Sequence, residues 1–366
     1  MSKAKLNVAM IGSGFIANVH SNAFRQVGHF FDVPYDVCCK VICGRNRATL
    51  ETASSRWGWS EVETDWRKVV VRNDIDAVDV AVPNAMHSAI AIAAAEAGKI
   101  VLCEKPLASS VEEAERMTKA VQRIPNAVWF NYRRVPAVIL AKQLITEGRI
   151  GEVFHYRALY LNQSGNDPSK GETWRYKRIE AGMGAAADLL SHSIDLALYL
   201  NGAIAELSAM LHTFAPNRDV DDAVLVLARF ANASIGAFEA SRYGVGCQNR
   251  NVFEVHGSKG KLGFSLEHMN QLDFFDANES TYLQGRRVVA VTAPVHPYGK
   301  NFWKPGHDLG YEHGFIATLG DFLNSLARQE PFHSNFEDAL TVQRILHAVQ
   351  RSSASRGWVN VDSGRA

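Results

Sequence analysis

Apolar runs alternate with helical patterns through the first 130 residues of the chain. The runs are rich in Val, Ile and Cys and read "LNVAMIG", "DVCCKVICG", "AVDVAVP" and "IVLCEKP"; the helical stretches between them include "RATLETASSRWG" and "HSAIAIAAAEAG". Strands that are apolar at consecutive positions are buried on both faces, as in parallel sheets built from βαβ units. The pattern predicts a doubly wound α/β domain over residues 1–130.

From about residue 153 the pattern changes to alternating apolar and polar positions. The strand-like segments are "VFHYRALYL", "AVLVLARF", "SIGAFEASRY", "NVFEVHG", "KLGFSL" and "RRVVAVTA", with helices predicted at about 182–200, 314–328 and 336–352. A period of two with short turns is typical of an antiparallel sheet with one covered face. Residues 131–366 are therefore predicted to form an α+β domain with a large, mostly antiparallel, open-faced sheet. Its open face would leave apolar surface in water, which predicts a homo-oligomer, either a dimer or a tetramer.

Length and charge narrow the class of partner. A chain of 366 residues exceeds one ordinary domain, in agreement with a division into two. With 39 basic against 38 acidic residues and no basic run, the chain lacks an electrostatic footprint for nucleic acid or an anionic membrane. No apolar run approaches the roughly 20 residues of a membrane helix. We therefore expect a small-molecule partner and neither nucleic acid nor a membrane.

The start of the chain and its cysteines predict a reducing compartment. The segment "MSKAKLNVAMIGSG" leads directly into a strand pattern instead of an apolar signal segment. The five cysteines lack metal-type CxxC spacing and are expected to be buried free thiols. Both features favour a cytoplasmic protein.

A glycine motif follows the first predicted strand. In "VAMIGSGFIA", Gly12, Gly14 and Ala17 form G-x-G-x-x-A between a strand and a helix. The first glycine permits a tight turn, the second lets a pyrophosphate approach the backbone, and the small third residue lets the helix pack on the strand. This context predicts a Rossmann dinucleotide-binding domain for NAD(H) or NADP(H), with Ser13, Phe15 and Ile16 of the same loop also contacting the cofactor.

The end of the second strand leaves the choice between the two cofactors open. In "VICGRNRA" no carboxylate is present to repel a 2′-phosphate, and Arg45 and Arg47 are able to bind one. Alternatively, Arg45 stacks on adenine and NAD is held by Asn46 or by backbone groups.

Candidate catalytic groups occur in two places. In "LCEKPLA", Lys105 follows a strand, and ligands of doubly wound sheets bind beyond the carboxyl ends of the strands. In "GAAADLLSHSIDLALYL", Asp188 and His192 are four residues apart and share one face of a predicted helix, as either a structural or a catalytic pair. Asp195 would complete a set of three donors, but no cysteine or histidine cluster accompanies them, and we predict no metal.

These motifs together resemble the Gfo/Idh/MocA family, which includes glucose-fructose oxidoreductase and inositol dehydrogenase. The segments "GSGFIANVH", "VPNAMH", "EKPLA", "NYRR", "WR" and the D-x-x-x-H helix occur in family order along nearly the whole chain. They are more specific for the family than for a substrate. The segment "GMGAAAD" departs from the run of glycines that many relatives have before the aspartate, which bears on substrate fit.

The resemblance implies that Lys105, Asp188 and His192 surround the reacting carbinol of an NAD(P)-dependent oxidoreductase. Oxidation of a secondary alcohol requires a base for the hydroxyl proton while hydride leaves the carbon. His192 is the expected proton acceptor, with Asp188 orienting the imidazole or binding a substrate hydroxyl and Lys105 stabilising the developing alkoxide. Lys105 remains an alternative base if desolvation lowers its pKa.

The resemblance also implies the remaining contacts. A surface-loop or interface position is the alternative for Tyr132, Arg133, Asn162, Trp174, Arg175 and His313, and His87 could instead cap the following helix. The substrate side adds Tyr132, Arg133, Asn162 and His313 to the three catalytic candidates. The cofactor side adds Pro83, Asn84, His87, Glu104, Lys105, Asn131, Trp174 and Arg175.

Several polar and aromatic groups in these positions suit a polyhydroxylated ring. The segments "CGRN", "NYRRVPA", "ITEGRIGEV" and "WRY" are similar to family members that oxidise sugars, anhydrosugars or glycosides at ring carbon 3, such as levoglucosan or glycoside 3-dehydrogenases. Inositol dehydrogenase is the alternative within the family. A non-catalytic, NAD(P)-binding redox sensor is the alternative from another class, although such a sensor would not need the proton acceptor.

Overall fold

The computed structural model describes residues 3–166, 173–216 and 218–362. Within them the strands are β1 Ala4–Ile11, β2 Tyr35–Cys43, β3 Glu61–Glu63, β4 Ala77–Val80, β5 Ile100–Cys103, β6 Asn126–Val128, β7 Val153–Leu161, β8 Ile204–His212, β9 Ala223–Phe230, β10 Ile235–Ser241, β11 Arg250–Gly257, β12 Gly260–Ser265, β13 Gln271–Asp276, β14 Arg287–Ala290 and β15 Val359–Asn360. The α-helices are α1 Phe15–Phe30, α2 Arg47–Trp57, α3 Trp66–Val70, α4 His87–Glu96, α5 Val111–Ala120, α6 Pro136–Thr146, α7 Arg178–Ala181, α8 Ser191–Asn201, α9 Tyr311–Arg328 and α10 Phe336–Ser355.

The chain divides into two compact units. Unit 1 comprises Met1–Asn131 and Tyr311–Leu340, and unit 2 comprises Tyr132–Gly310 and Thr341–Ala366. The predicted domains, 1–130 and 131–366, differ from this division in the segment Tyr311–Leu340, which returns to unit 1.

Unit 1 contains a parallel sheet in the order β3-β2-β1-β4-β5-β6. The order reverses between β1 and β4, as in a Rossmann fold, where the crevice beyond the strand ends binds the ligand. The strands are apolar on both faces because helices cover both sides. The doubly wound domain predicted from the sequence is thereby confirmed. Fully buried residues of its core include Val8, Met10, Ile42, Val78 and Val101.

Close packing explains why the segment Tyr311–Leu340 belongs to unit 1. Helix α9 packs against α1. The fit is tight, since a Cβ added at Gly320 would lie 2.7 Å from the Phe31 ring. Further along, the Ser334 hydroxyl donates to the Val128 carbonyl (2.8 Å) and so extends the hydrogen bonding of β6. Sequence spacing alone carries no signal for either contact.

Unit 2 contains the second sheet, in the order β14-β13-β12-β11-β7-β10-β9-β8-β15. Strands β7 and β10 pair in parallel, and the other neighbours pair antiparallel. Helices α6 and α8 pack on one face, which buries the aromatic cluster Tyr156, Phe230, Phe238 and Phe253. The predicted mostly antiparallel sheet is confirmed.

The other face of this sheet carries exposed apolar side chains. The registers of β7 to β10 place Met210, Leu225, Leu227 and Ile235 on it, and all four are exposed. We call these four residues the open sheet face. A cavity of about 500 Å³ lies over part of this face and is lined by Leu225 and Leu227, among others.

No helix among the described residues is both long and apolar enough to cross a bilayer. The predicted cytoplasmic location stays a prediction.

The two faces of the sheet in unit 2 are tested with apolar residues on neighbouring strands. Phe238 on β10 is 4% exposed within the aromatic cluster, whereas Leu227 on β9 belongs to the open sheet face and is 57% exposed. We expect Phe238→Ala to lower the free energy of unfolding by about 3–5 kcal/mol because it leaves a cavity, and Leu227→Ala by less than about 1 kcal/mol. Urea denaturation of both variants measures the difference, and equal losses would contradict this assignment of faces.

Candidate active site

The glycine loop of unit 1 is shaped by two different constraints. Gly12 has φ +136°, and a Cβ there would lie 2.1 Å from the Ala81 carbonyl oxygen, so only glycine fits. Gly14 has extended backbone at the start of α1, and a Cβ there would meet nothing within 4 Å. The space beside Gly14 therefore faces the N-terminal end of α1, where backbone N–H groups favour an anion. This cradle fits a dinucleotide pyrophosphate.

Three polar residues follow β2 at the predicted ribose end. The Asn46 side chain caps α2 by accepting from the Thr49 amide (3.1 Å). Arg47 pairs with Glu51 at 3.0 Å. Arg45 is exposed. The capping bond fixes the Asn46 side chain at the start of α2, and the exposed Arg45 is open to a cofactor.

The turn after β5 carries Lys105. The Lys105–Pro106 peptide bond is cis. The buried His87 ring lies behind the turn. Its Nδ1 is 3.1 Å from the Pro106 carbonyl oxygen, and its Nε2 is 2.9 Å from the Val82 carbonyl oxygen. Burial lowers the pKa of His87, and a neutral ring carries one N–H, so it donates to one of these carbonyls. His87 thus supports the turn from inside unit 1, which differs from both the predicted cofactor contact and the predicted helix cap.

Glu104 and Asn84 are also buried, although both were predicted to contact the cofactor. Glu104 Oε1 lies 3.1 Å from His20 Nε2, and Oε2 accepts from the Lys105 amide at 3.1 Å. Glu104 therefore orients the backbone of the Lys105 turn from the interior of unit 1. Pro83 precedes the short 3₁₀ turn Asn84–Met86 at the end of β4.

His313 was predicted on the substrate side, but it lies on α9 in unit 1. Its ring centroid is 6.1 Å from that of Phe30, and its Nδ1 is 3.5 Å from Glu312. Asn131, predicted on the cofactor side, is buried at the end of the first segment of unit 1.

In unit 2, Asp188 and His192 do not lie on one regular α-helix. Ala186–Leu190 forms a π-helical turn that leads into α8. Such turns are rare and frequently occur at functional sites. Asp188 lies within the turn, with its side chain 30% exposed, and His192 follows on α8 at 7% exposure. The predicted single helix over 182–200 is corrected in this respect.

Asp221 holds the start of this π-helical turn. Its carboxylate accepts from the amides of Gly184 and Ala186, both at 2.7 Å. Burial raises the pKa of Asp221, while these amide bonds act in the opposite direction. A Cβ at Gly184 would lie 1.8 Å from the Asp221 carbonyl oxygen. The segment "GMGAAAD" therefore needs its glycine at this position, whereas the alanines that replace the family's glycines are buried without such a clash.

Arg242 is the partner of Asp188. Its Nη2 donates to Asp188 Oδ2 at 3.1 Å, and its Nη1 donates to the Arg175 carbonyl at 3.2 Å. Arg242 is buried just after β10. The guanidinium thus balances the charge of Asp188 and limits its rotation. The sequence analysis missed Arg242, because its 54-residue separation from Asp188 leaves no local signal.

His192 lies against two tyrosines. Its ring centroid is 4.7 Å from that of Tyr132, and the Tyr132 and Tyr160 hydroxyls are 3.0 Å apart. Tyr160 donates to Asn249 Oδ1 at 2.7 Å, so the bond between the hydroxyls is donated by Tyr132. This chain fixes the orientation of the ring that packs on His192. The structure thus places Tyr132 beside His192, and Asn249 was missed by the sequence analysis.

Arg133 differs from its predicted substrate contact. Its guanidinium is buried and bonds Asp195, with Nε 2.9 Å from Oδ2 and Nη2 2.6 Å from Oδ1. Asp195, considered above as a metal donor, is thereby engaged in an ion pair. Across the described residues, no group of three or more His, Cys, Asp or Glu side chains is arranged to hold a metal ion.

The other predicted contacts of unit 2 lie in loops. Asn162 Oδ1 accepts from the Ser164 amide (3.0 Å) and hydroxyl (2.7 Å), which shapes the turn after β7. The Arg175 guanidinium lies 4.6 Å from the centroid of the Trp174 ring. Through its carbonyl, Arg175 is connected to Arg242 and so to Asp188.

Comparison with known proteins covers both units. A model of an oxidoreductase family with an NAD-binding Rossmann fold matches residues 6–132, and a model of the GFO/IDH/MocA C-terminal domain matches residues 138–263. A curated relative, the levoglucosan dehydrogenase of Pseudarthrobacter phenanthrenivorans, is 38% identical, with 97% of this chain and 98% of the relative covered. The D-glucoside 3-dehydrogenase of Escherichia coli is 27% identical, with 96% and 97% covered. A solved structure of levoglucosan dehydrogenase in complex with NADH and levoglucosan has a TM-score of 0.95 at 39% identity, with 98% of this chain and 99% of that chain covered.

The two glycines of the loop should separate cofactor binding from folding. In Gly14→Ala the new methyl group fills open space beside α1, so we expect a stability loss of about 1 kcal/mol or less but an NADH affinity lowered about tenfold or more. In Gly12→Ala the strained φ and the clash with Ala81 should lower the free energy of unfolding by about 2–4 kcal/mol. Thermal denaturation and NADH fluorescence titration measure both effects. Wild-type NADH affinity in Gly14→Ala would exclude this placement of the pyrophosphate.

Proposed function

Because the chain belongs to the Gfo/Idh/MocA family of oxidoreductases, we propose that it oxidises a secondary alcohol of a sugar, anhydrosugar or glycoside with NAD, favouring ring carbon 3. The chain is an NAD-dependent oxidoreductase acting on CH–OH groups. The observation that carries the sugar assignment is the likeness to a levoglucosan dehydrogenase along nearly the entire length of both chains. The family set of Lys105, Asp188 and His192 supports it.

We assign the proton chemistry to His192. When bound, NAD⁺ accepts the hydride that leaves the ring carbon. The hydroxyl proton passes to the imidazole of His192 as the carbonyl forms, so the alcohol becomes a ketone and the ring becomes imidazolium. Packing against Tyr132 limits rotation of the imidazole. The reverse reaction uses the same imidazolium as the proton donor.

Asp188 and Lys105 complete the proposed reacting set. Asp188, held by Arg242, accepts a hydrogen bond from a substrate hydroxyl and so orients the ring. Lys105 donates to the reacting oxygen and stabilises the alkoxide as the proton leaves. Hydrogen bonds fix the backbone turn that carries each of these side chains. Little rearrangement of the two side chains is therefore needed during the reaction.

The wider contacts are proposed with three changes. His87 and Glu104 are withdrawn as cofactor contacts, because both support the Lys105 turn from within unit 1. Tyr132, Asn162 and His313 are retained as substrate contacts. Arg133 is withdrawn, since Asp195 neutralises it in the core of unit 2. The retained cofactor contacts are Gly12, Ser13, Gly14, Phe15, Ile16, Arg45, Asn46, Pro83, Asn84, Lys105, Asn131, Trp174 and Arg175.

The function is tested by following NAD reduction with levoglucosan, glucosides, free hexoses and inositols. We expect turnover on an anhydrosugar or glycoside, with NMR of the product locating the ketone at ring carbon 3. His192→Asn should lower kcat by about 10²–10⁴-fold because the proton acceptor is lost, and Lys105→Met should lower it through loss of alkoxide stabilisation. NADH affinity should stay near the wild-type value in His192→Asn.

His347→Asn is the matched control, because His347 is exposed on α10. It should retain wild-type turnover. Oxidation of inositol alone would move the assignment to an inositol dehydrogenase. NADH binding without turnover on any of these substrates would favour the redox sensor.

We also propose that the protein is a homo-oligomer assembled through the open sheet face. Contiguous exposed apolar side chains on one face of a sheet mark an association surface, and the four residues of this face are supplied by adjacent strands, β8, β9 and β10. A second copy presenting the same face would bury them in an isologous contact.

Light scattering after size exclusion tests the assembly. We expect the wild type to elute as a dimer or a larger oligomer, and Leu225→Glu/Leu227→Glu to elute as a monomer, because association would bury the introduced charges. Val71→Glu, at another exposed apolar position in unit 1, is the control and should leave the mass unchanged. A monomeric wild type at micromolar concentration would refute the proposal.

A further inference from the structure

A buried cluster of three ionisable side chains lies beneath the Lys105 turn in unit 1. His20 on α1 is fully buried, with Nδ1 2.8 Å from Asp79 Oδ2 and Nε2 3.1 Å from Glu104 Oε1. Asp79 lies on β4, and Glu104 directly follows β5. One imidazole therefore joins the helix of the glycine loop to two neighbouring strands at their carboxyl ends.

Aromatic rings enclose this cluster. The Trp129 indole N–H donates to Asp79 Oδ1 at 2.9 Å, and the Trp129 ring stacks on His20 with centroids 4.1 Å apart. Phe315 of α9 lies 5.5 Å from the His20 ring. The surroundings are apolar, so the hydrogen bonds and ion pairs within the cluster are weakly screened by solvent.

The two neighbouring carboxylates favour the doubly protonated form of His20. Burial alone would lower its pKa, but the charge of Asp79 and the hydrogen bonds to Asp79 and Glu104 outweigh burial and raise the pKa of His20 to about 9. Both neighbours are carboxylates and accept hydrogen bonds, so an imidazolium satisfies both with its two N–H groups. The groups facing the cluster are the buried Cys103 thiol and His87, which feels the charge of Glu104.

We propose that His20 is a positioning residue for Lys105, acting through Glu104. The Glu104 carboxylate accepts from His20 through one oxygen and from the Lys105 backbone N–H through the other. The Glu104 amide is in turn fixed by the Val80 carbonyl at 2.9 Å. The His20 bond thus sets the orientation of Glu104 and, through it, of the backbone that carries the lysine. The kinetic part of this inference rests on the proposed function.

Two substitutions separate the two bonds of His20. A glutamine amide nitrogen takes approximately the place of Nε2 and keeps the bond to Glu104, whereas an asparagine nitrogen takes that of Nδ1 and keeps the bond to Asp79. We expect His20→Gln to keep kcat within about threefold of the wild type and His20→Asn to lower it about 10²-fold, because the lysine is misplaced. KM for the sugar and the affinity for NADH should stay near wild-type values in both variants.

Hydrogen exchange of the Lys105 amide provides a readout that does not depend on turnover. Exchange should accelerate in His20→Asn and stay slow in His20→Gln. If the wild type oxidises no sugar, the proposed function fails while this exchange difference still supports the positioning. Equal exchange and equal kcat in the two variants would overturn it.

A measurement on the wild type covers the case in which neither variant folds. In ¹⁵N-histidine spectra recorded across pH, one of the 13 histidines should remain imidazolium at pH 8 and titrate near pH 9. The kcat of the wild type should fall over the same range. A spectrum in which every histidine is neutral at pH 8 would overturn the proposal.

Discussion

The backbone that follows β1 lies too close to the end of β4 to carry a side chain, and the glycine loop of unit 1 is placed by this constraint. Gly12 passes against the Ala81 carbonyl, where a Cβ would be 2.1 Å from the oxygen. The chain therefore turns directly from β1 into α1, with Gly14 open at the helix start. The same edge holds the Lys105 turn, because the Glu104 amide bonds the end of β4.

Unit 2 also contains a glycine in close contact with a backbone carbonyl of another segment. Gly184 lies against the Asp221 carbonyl as closely as Gly12 lies against Ala81. The Asp221 carboxylate then binds the amides at the start of the π-helical turn, which fixes where Asp188 emerges. In both units a glycine at a close backbone contact begins the helical segment that carries functional groups. The side chains that follow each glycine within a few residues are therefore restricted in position by the close backbone contact.

Both units contain ion pairs that are buried at least in part. Arg133 with Asp195, Arg242 with Asp188, and His20 with its two carboxylates each place at least one ionised group at low exposure. Breaking such a pair leaves an uncompensated charge and is strongly destabilising, by about 3–5 kcal/mol. These pairs restrict the rotamers of the side chains next to the candidate reacting groups. They therefore contribute orientation more than net stability.

The sequence by itself determined the fold class and the glycine loop, and its resemblance to the family implied the proposed set of Lys105, Asp188 and His192. The fold class and the glycine loop depend on residues near one another in the chain, through periodicity, turn chemistry and motif spacing. Only the tertiary structure decided which partners hold them. Arg242 is 54 residues from Asp188, Glu104 is 84 from His20, and Asn249 is 89 from Tyr160. Strand order brings such residues together, and no local pattern encodes that order. For the same reason, neither the ion pair of Arg133 with Asp195 nor the packing of the segment Tyr311–Leu340 with unit 1 follows from chain order.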